Sequence, residues 1–444
     1  MNEWHEAEQR VEKAQELFAQ EMWQEALDEL RAAISINPYN GAWHFNLGLT
    51  LDELERFGEA IEAYQQSLEF EPDDVEAVYR LGMDLLRLGR FEDARDTLGR
   101  IATIDASFEP AYCGRIVAYT ELGDHEKAEE TFYLARQYKE ECPHCYANIA
   151  VSLRRRGLFD KAIYCWQKTL DLDESHPEVH LQIAEAYWEK GELEKARQHY
   201  LNELRLSPGA TLTLLDLGSL LLEMGRTDEA GEKFRRAIEL APQEPAAHLH
   251  YAHWLLCRDR VAPAKQAVGR ALSLDPRYPG AQVHLAEICI REGDIARARE
   301  HLRAELRLKP EEPRILLDLA NLLMDCGQSR PAVACLKRLT ESEPRNAIAW
   351  QNLGVAYFMT GRFAEGMASC QEALRLDPKQ TMAMYNLALA YEQQGDYPSA
   401  MAWLRLARQL DSSDPSLQRL ELRIRVLKAW DWVRRSACRL FGQR

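Results

Sequence analysis

The sequence contains no run of 18 or more apolar residues, and its first residues lack the basic patch and apolar stretch of a secretory leader. We therefore expect neither a membrane-spanning helix nor a secretory signal. The chain also lacks a Gly-x-x-x-x-Gly-Lys-Ser/Thr phosphate loop, a Gly-x-Ser-x-Gly nucleophile turn and a His-Glu-x-x-His helix. These absences favour a protein that is not an enzyme and that resides in the cytoplasm.

The composition is acidic, with a formal net charge of −16. The hydrophobic fraction of 46% is still enough for a folded core. A surplus of negative charge repels phosphate backbones, so no nucleic-acid partner is expected. Residues 415–444 depart from this balance, with eight Lys and Arg against two Asp and Glu. Ten cysteines scattered among apolar stretches are typical of reduced thiols in a cytoplasmic protein.

A 34-residue period runs through most of the chain, which is the spacing of a repeat architecture. Glycines keep this interval at Gly89, Gly123, Gly157, Gly191, Gly225, Gly293, Gly327, Gly361 and Gly395, with Asp259 in the one gap of the series. A second series of small residues runs from Ala26 to Ala400 and contains one glycine, Gly366. The period predicts a lead-in at 1–6 and twelve units: 7–40, 41–74, 75–108, 109–142, 143–176, 177–210, 211–244, 245–278, 279–312, 313–346, 347–380 and 381–414.

Each unit has the pattern of two helices. In residues 347–380, an apolar stripe at helical spacing ends at Gly361, because glycine tolerates the left-handed conformation of a helix C-cap. A second stripe then ends at Pro378, which cannot continue a hydrogen-bonded turn. Small residues at the eighth and twentieth places indicate that the two helices cross closely there.

The order Trp350, Gly354, Tyr357, Gly366 and Pro378 in one unit resembles the tetratricopeptide repeat family. The resemblance covers residues 7–414 and implies an all-α, right-handed α-solenoid whose first helices line a concave groove. Residues 415–444 are expected to form a basic, amphipathic C-terminal capping helix. Proteins of this kind bind other proteins or peptides, so the resemblance implies a protein-interaction scaffold.

The resemblance also assigns six places of each unit to the groove, where polar residues prevail. An asparagine amide is both donor and acceptor, so it can pair with the backbone of an extended peptide whatever its sequence. The candidate groove residues are Asn46, Arg80, Asn148, Asn321, Asn352, Tyr385 and Asn386. The alternative is a solvated face without a ligand.

Chaperone-binding relatives hold a C-terminal carboxylate with a clamp of Lys, Asn and Arg side chains. Asn46 and Arg80 match two of its places, but Val11, Gln15 and Glu76 stand where the family has Lys, Asn and Lys. Capture of a carboxylate requires that positive charge. The sequence therefore disfavours a chaperone adaptor.

Two clusters resemble metal sites, although we expect no cofactor and no metal. Cys142 and Cys145 are predicted to lie in a partly exposed turn, and a zinc site with Cys113 is the alternative. His250, His253, His284 and Glu287 would share one region of the groove, where a metal site is again the alternative. The favoured interpretation there is a wet patch that gains charge below about pH 6.5.

The leading hypothesis is a scaffold that binds an extended peptide or protein segment in its groove. The alternative is a regulatory or targeting subunit of an enzyme or of a membrane-associated complex, which would use the basic C-terminal helix. Weak contact with a membrane surface and self-association through the groove or the ends of the array remain open.

Overall fold

A computed structural model describes residues 2–441, with side chains described for 4–430, 432 and 433. The described chain contains 25 helices and no strand. This confirms the predicted all-α solenoid fold class. No described helix combines the length and the apolar character that crossing a membrane requires.

The helices follow one another through short turns. The first thirteen are α1 (Asn2–Ala19), α2 (Trp23–Ile36), α3 (Gly41–Glu53), α4 (Phe57–Phe70), α5 (Val75–Arg87), α6 (Phe91–Ile104), α7 (Glu109–Glu121), α8 (His125–Tyr138), α9 (Pro143–Arg155), α10 (Phe159–Leu172), α11 (Val179–Glu189), α12 (Leu193–Leu206) and α13 (Thr211–Glu223). The others are α14 (Thr227–Leu240), α15 (Pro245–Cys257), α16 (Val261–Leu274), α17 (Ala281–Arg291), α18 (Ile295–Leu308), α19 (Pro313–Asp325), α20 (Ser329–Ser342), α21 (Ala347–Met359), α22 (Phe363–Leu376), α23 (Thr381–Gln393), α24 (Tyr397–Leu410) and α25 (Pro415–Phe441).

The chain forms two compact units, residues 1–220 and 221–444. Within each unit, an odd-numbered helix packs against the even-numbered helix that follows it. Odd-numbered helices also contact one another, as α7 does with α9 and α21 does with α23, whereas even-numbered helices make no comparable contacts with each other in the described part. Helices on the inside of a curve lie closer together, so the odd-numbered helices line the concave face of each unit.

Left-handed residues end the odd-numbered helices. The glycines of the 34-residue series have φ between +71° and +80°, as their role in the C-cap requires. Where the series lacks glycine, the backbone adopts the same conformation at Glu21, Glu55 and Asp259, with φ of 61°, 57° and 56°. The position is therefore a geometric requirement of the repeat, and a side chain there strains the backbone.

The two helices of a repeat cross at the small residues. A Cβ atom added to Gly48 would lie 2.5 Å from the Tyr64 ring, and one added to Gly82 would lie 2.5 Å from Leu98 Cγ. The alanines of the second small series are fully buried at the same crossings: Ala26, Ala60, Ala94, Ala128, Ala162, Ala196, Ala230, Ala264, Ala298, Ala332 and Ala400. Backbone proximity is the reason for the strict spacing.

The last helix covers the apolar edge of residues 381–414. Leu417, Leu420 and Ile424 of α25 are buried against a core that includes Leu404. Beyond them the helix presents exposed apolar side chains, and the basic side chains of residues 434–444 lie outside the described residues. At the other end, α1 already begins at Asn2, five residues before the first predicted repeat.

Alanine substitutions at Gly82 and Gly99, in the two helices of one repeat, should change stability in opposite directions. Gly82→Ala should lower the free energy of unfolding, because overpacking against Leu98 costs ~1–3 kcal/mol and outweighs the gain in helix propensity. Gly99→Ala should raise it by ~0.5–1 kcal/mol, since nothing lies within 4 Å of the added Cβ. Urea denaturation followed by circular dichroism measures both. Equal effects would contradict the close crossing.

Candidate functional site

Three asparagines lie on neighbouring odd-numbered helices in residues 221–444: Asn321 on α19, Asn352 on α21 and Asn386 on α23. Asn352 Nδ2 donates a hydrogen bond to Asn321 Oδ1 at 3.0 Å. The structure therefore brings two of the predicted residues into direct contact across adjacent repeats. We call these three residues the amide strip.

The Asn321–Asn352 pair retains hydrogen-bonding capacity. Their bond uses one N–H of Asn352 and one lone pair of Asn321. The Nδ2 group of Asn321 and the Oδ1 atom of Asn352 make no other hydrogen bond within the described residues. The pair thus offers one donor group and one acceptor, which is also what a peptide group needs from a partner. Both side chains are half-buried, so both remain reachable from the concave face.

Asn386 differs from the pair because its side chain is buried and incompletely bonded. Only 8% of the residue is exposed, and its Nδ2 atom has no hydrogen-bond partner among the described residues. A buried amide without a partner costs ~1–3 kcal/mol of stability. Such a group is uncommon in folded proteins and calls for an explanation, of which a bound acceptor is one.

Apolar side chains flank the amide strip. Ile348 and Met382 begin the first turns of α21 and α23 and are 55% and 51% exposed, and Met359 at the end of α21 is 51% exposed. Tyr385 and Phe358 are half-buried on the same two helices. The surface therefore combines central amides with exposed apolar groups near the helix ends.

The predicted groove residues of residues 1–220 are engaged in other ways. Asn46 lines a cleft of about 100 Å³ between α1 and α3, together with Gln15 and Phe18. Arg80 Nε donates to Glu76 Oε1 at 2.8 Å within one helix. Because Glu76 pairs with the Arg80 guanidinium, that group is not free to hold a peptide carboxylate. The ion pair is therefore consistent with the mismatch between this sequence and the carboxylate clamp.

Asn148 acts as a link between repeats. Its Nδ2 atom donates to the backbone carbonyl of Cys113 at 3.1 Å, which joins α9 to α7. The bond uses one N–H of the side chain and ties it to the backbone of α7 rather than to an amide on a neighbouring helix. Asn46, Arg80 and Asn148 therefore form no strip comparable with that of Asn321, Asn352 and Asn386.

The histidines of the cluster differ in burial, since His250 and His284 are half-buried and His253 is exposed. His250 stacks on Phe234 with ring centroids 5.9 Å apart, and the His253 and His284 rings lie 5.7 Å apart. Burial and the adjacent imidazoles lower the pKa of His250 to about 4 and also lower that of His253. At His250 the lowered pKa argues against the expected gain of charge below about pH 6.5, because burial disfavours the imidazolium form. For the exposed His253 and for His284 that gain stays a prediction.

The histidines also do not converge on one point with Glu287. His284 Nδ1 lies 3.9 Å from Glu287 Oε2, while Arg291 Nη2 bonds the other oxygen of that carboxylate at 2.6 Å. Within the described part of the chain, the one group of three or more His, Cys, Asp or Glu side chains placed to hold a metal contains no histidine.

That group is Glu109, Cys113, Cys142 and Cys145. The expectation of a partly exposed turn is wrong, because Cys142 and Cys145 are each only 1% exposed. Cys142 forms the N-cap of α9, and α9 packs directly on α7. Hydrogen bonds from the Cys113 and Cys145 thiols lower the pKa of the Cys142 thiol. Sequence reasoning missed Glu109, although its spacing of four from Cys113 placed both on one helix face.

The fold and the concave faces define a helical-repeat protein without a recognisable catalytic constellation in its described residues. Sequence models of the tetratricopeptide repeat match residues 148–211, 258–313 and 317–381, residues 17–81, 53–114 and 357–424, and residues 213–244. The chain therefore belongs to the tetratricopeptide repeat family, whose members are in general protein-interaction scaffolds.

Comparison with curated proteins finds no match. Among solved structures, the chain resembles the Cut9–Hcn1 hetero-tetramer of the APC/C, at 17% identity and a TM-score of 0.46 over 93% of this chain and 95% of that one. It resembles yeast Tom70 at 17% identity and a TM-score of 0.45 over 96% of each chain. A thermophilic tetratricopeptide repeat protein of Thermus thermophilus has 23% identity and a TM-score of 0.38 over 41% of this chain and 99% of that one.

Leucine substitutions at Asn386 and Asn352 should change the free energy of unfolding in opposite directions, because one amide lacks a hydrogen bond and the other has one. Asn386→Leu should raise the free energy of unfolding by ~1–3 kcal/mol, because it removes a buried polar group without a partner. Asn352→Leu should lower it by ~0.5–1.5 kcal/mol, because it breaks the bond to Asn321. Chemical denaturation checks both signs, and destabilisation by Asn386→Leu would mean that its amide is satisfied.

Proposed function

We propose that the concave face of residues 221–444 binds an extended segment of another protein along the amide strip. The observation that carries the proposal is the bond between Asn352 and Asn321, which leaves the Nδ2 group of Asn321 and the Oδ1 atom of Asn352 without a further partner among the described residues. Both side chains are half-buried, so the carbonyl and N–H groups of a bound backbone would reach them. Asn386 is enclosed, and neighbouring side chains would have to shift before its Nδ2 group joined them.

The neighbouring pair supports recognition of the backbone rather than of particular side chains. Asn321 Nδ2 and Asn352 Oδ1 present a donor and an acceptor on two adjacent helices, and a peptide group offers the complementary pair. A peptide in extended conformation keeps its N–H and C=O groups free, whereas a helical peptide uses them internally. An extended segment is therefore the form that fits the strip.

Side-chain preference would come from the apolar flank. Ile348, Met359 and Met382 are each more than half exposed and lie on the two helices that carry Asn352 and Asn386. Methionine is flexible and polarizable, so it adapts to different apolar partners. We therefore expect bound segments with apolar residues on either side of a stretch that contacts the amides.

Binding should depend on the amide strip and not on amides elsewhere. A peptide selected from a random display library would be titrated against wild type and Asn321→Ala/Asn352→Ala/Asn386→Ala by fluorescence polarisation. Loss of three backbone hydrogen bonds should weaken binding at least about tenfold, since ~1.4 kcal/mol corresponds to a factor of ten.

The matched control is Gln371→Ala/Gln409→Ala, two exposed amides on the even-numbered helices α22 and α24. It should bind as wild type does. Peptides carrying single N-methyl groups should lose affinity at the position that faces Asn352 Oδ1. Equal affinity of both variants, with equal helical content, would sink the proposal.

A second candidate role is attachment to an anionic membrane surface through α25. The helix has 27 residues against 13 in α23, so about half of its length extends past the repeat it covers. Leu422, Val426, Trp430 and Val433 are 50–69% exposed and recur at intervals of four, four and three along one face. An exposed apolar stripe on a basic helix is typical of an interfacial helix.

Vesicle sedimentation tests this second role. Wild type should bind vesicles that contain anionic lipid, less so as salt is raised. The variant Trp430→Ala/Trp432→Ala removes the tryptophan of the stripe and a second one that is 70% exposed, and it should bind at least several-fold more weakly. The control Tyr133→Ala/Tyr164→Ala removes two comparably exposed aromatics from α8 and α10. Equal binding by both double variants, or equal binding to neutral vesicles, would argue against the role.

A further inference from the structure

We propose that Glu109, Cys113, Cys142 and Cys145 form a structural zinc site that joins two successive repeats. Their four ligand atoms lie within 4.8 Å of one another. Glu109 and Cys113 come from the first two turns of α7, and Cys142 and Cys145 come from the N-terminus of α9. We call this group the thiol cluster.

The distances approach those of tetrahedral zinc. Zinc bonds of ~2.3 Å to sulfur and ~2.0–2.2 Å to oxygen set tetrahedral edges of about 3.8 Å between sulfurs and about 3.5 Å between sulfur and oxygen. The Cys113 and Cys142 sulfurs are 3.6 Å apart. Glu109 Oε1 lies 3.3 Å from the Cys113 sulfur and 3.5 Å from that of Cys145.

The Cys113 and Cys145 sulfurs are closer, at 2.8 Å. This separation is too long for a disulfide, whose sulfurs lie about 2.05 Å apart. It is also about 1 Å shorter than a zinc tetrahedron requires, so insertion of the ion would move these two sulfurs apart. The two sulfurs are carried on separate helices, α7 and α9, so rotation of either side chain would change their separation.

The local structure supports a thiolate at Cys142. The Cys142 sulfur accepts a hydrogen bond from the Cys145 backbone N–H at 3.2 Å, as the N-cap of α9. A helix N-terminus favours negative charge, and a thiolate is the form that binds metal. Pro143 holds the first turn of the helix, so both sulfurs of the Cys-x-x-Cys pair face the same side.

Surrounding contacts hold the other two ligands. Lys139 Nζ lies 3.5 Å from Glu109 Oε2, which leaves Oε1 directed at the thiols. Asn148 Nδ2 binds the backbone carbonyl of Cys113. Outer contacts of this kind orient metal ligands and raise their affinity.

If these cysteines were only small apolar core residues, the position of the Glu109 carboxylate beside them would have no explanation. The buried thiols of Cys165, Cys335 and Cys370 lie within the hydrophobic interior, where a cysteine behaves as a small apolar residue. The thiol cluster instead places a Glu109 side chain, 13% exposed, against three sulfurs. Lys139 pairs with the Oε2 atom of that carboxylate, and a cation at the centre would pair with the Oε1 atom that faces the thiols.

The ligand set points to zinc and to a structural role. Three thiolates exclude the hard cations Ca²⁺ and Mg²⁺, which prefer oxygen ligands. Zn²⁺ accepts sulfur and carboxylate together in a four-coordinate site. All four positions are filled by protein, which is characteristic of structural rather than catalytic zinc. The ion would fasten α7 to α9 and so fix the repeats at residues 109–142 and 143–176 against each other.

Metal content measured by mass spectrometry tests the site. Full-length protein purified under reducing conditions and reconstituted with Zn²⁺ should retain about one zinc per chain after gel filtration, and Cys142→Ser/Cys145→Ser should retain none. The control Cys165→Ser removes a buried thiol from the same core and should retain zinc as wild type does. Co²⁺ in place of Zn²⁺ should give the charge-transfer and visible bands of tetrahedral thiolate coordination.

Glu109→Gln provides a second test in case the double cysteine variant fails to fold. It keeps the three thiols and the side-chain size, and it should fold and bind Zn²⁺ at least about tenfold more weakly in competition with a chromogenic chelator. The proposal is overturned if reconstituted wild type holds no zinc, if thiol titration shows a disulfide among the three cysteines instead, or if the double variant retains as much zinc as wild type.

Discussion

The close crossing of two helices within each repeat is the constraint on which the rest of the structure depends. A small residue of each even-numbered helix from α2 to α24, a fully buried alanine in all but α22, brings its backbone near the odd-numbered partner. That approach sets the angle of the helix pair and leaves one face of every odd-numbered helix open to the concave side. Because stability in such arrays comes from contacts between neighbours, one geometry repeated along the chain is enough to build each compact unit.

Periodicity made the helices predictable, since small residues and glycines fall at fixed places. The sequence indicated the pairing of helices, their crossings at the small residues and the capping role of the helix that begins at residue 415. It did not indicate that Asp259 would take the left-handed conformation of a missing glycine. The absence of glycine at position 259 suggests a break in the repeat pattern. The turn between the two packed helices α15 and α16 nevertheless requires the same left-handed backbone conformation.

The candidate sites were less predictable than the helices because they depend on contacts between repeats. The placement of Asn321, Asn352 and Asn386 on successive odd-numbered helices followed from the repeat frame. The bond between Asn352 and Asn321 and the burial of Asn386 depend on side-chain packing, which no spacing encodes. Glu109 was overlooked because it lies far from Cys142 along the chain, and the two meet only when adjacent repeats stack.

The non-glycine caps have a consequence for how the molecule opens. Glu21 and Glu55 follow α1 and α3 in a conformation that disfavours a side chain. Amide protons at the C-terminal ends of α1 and α3 should therefore exchange with solvent before those at the ends of the odd-numbered helices that a glycine follows. Asp259 places a similar weak point between α15 and α16, inside the second compact unit. The repeats therefore differ in local stability, although their sequence period is regular.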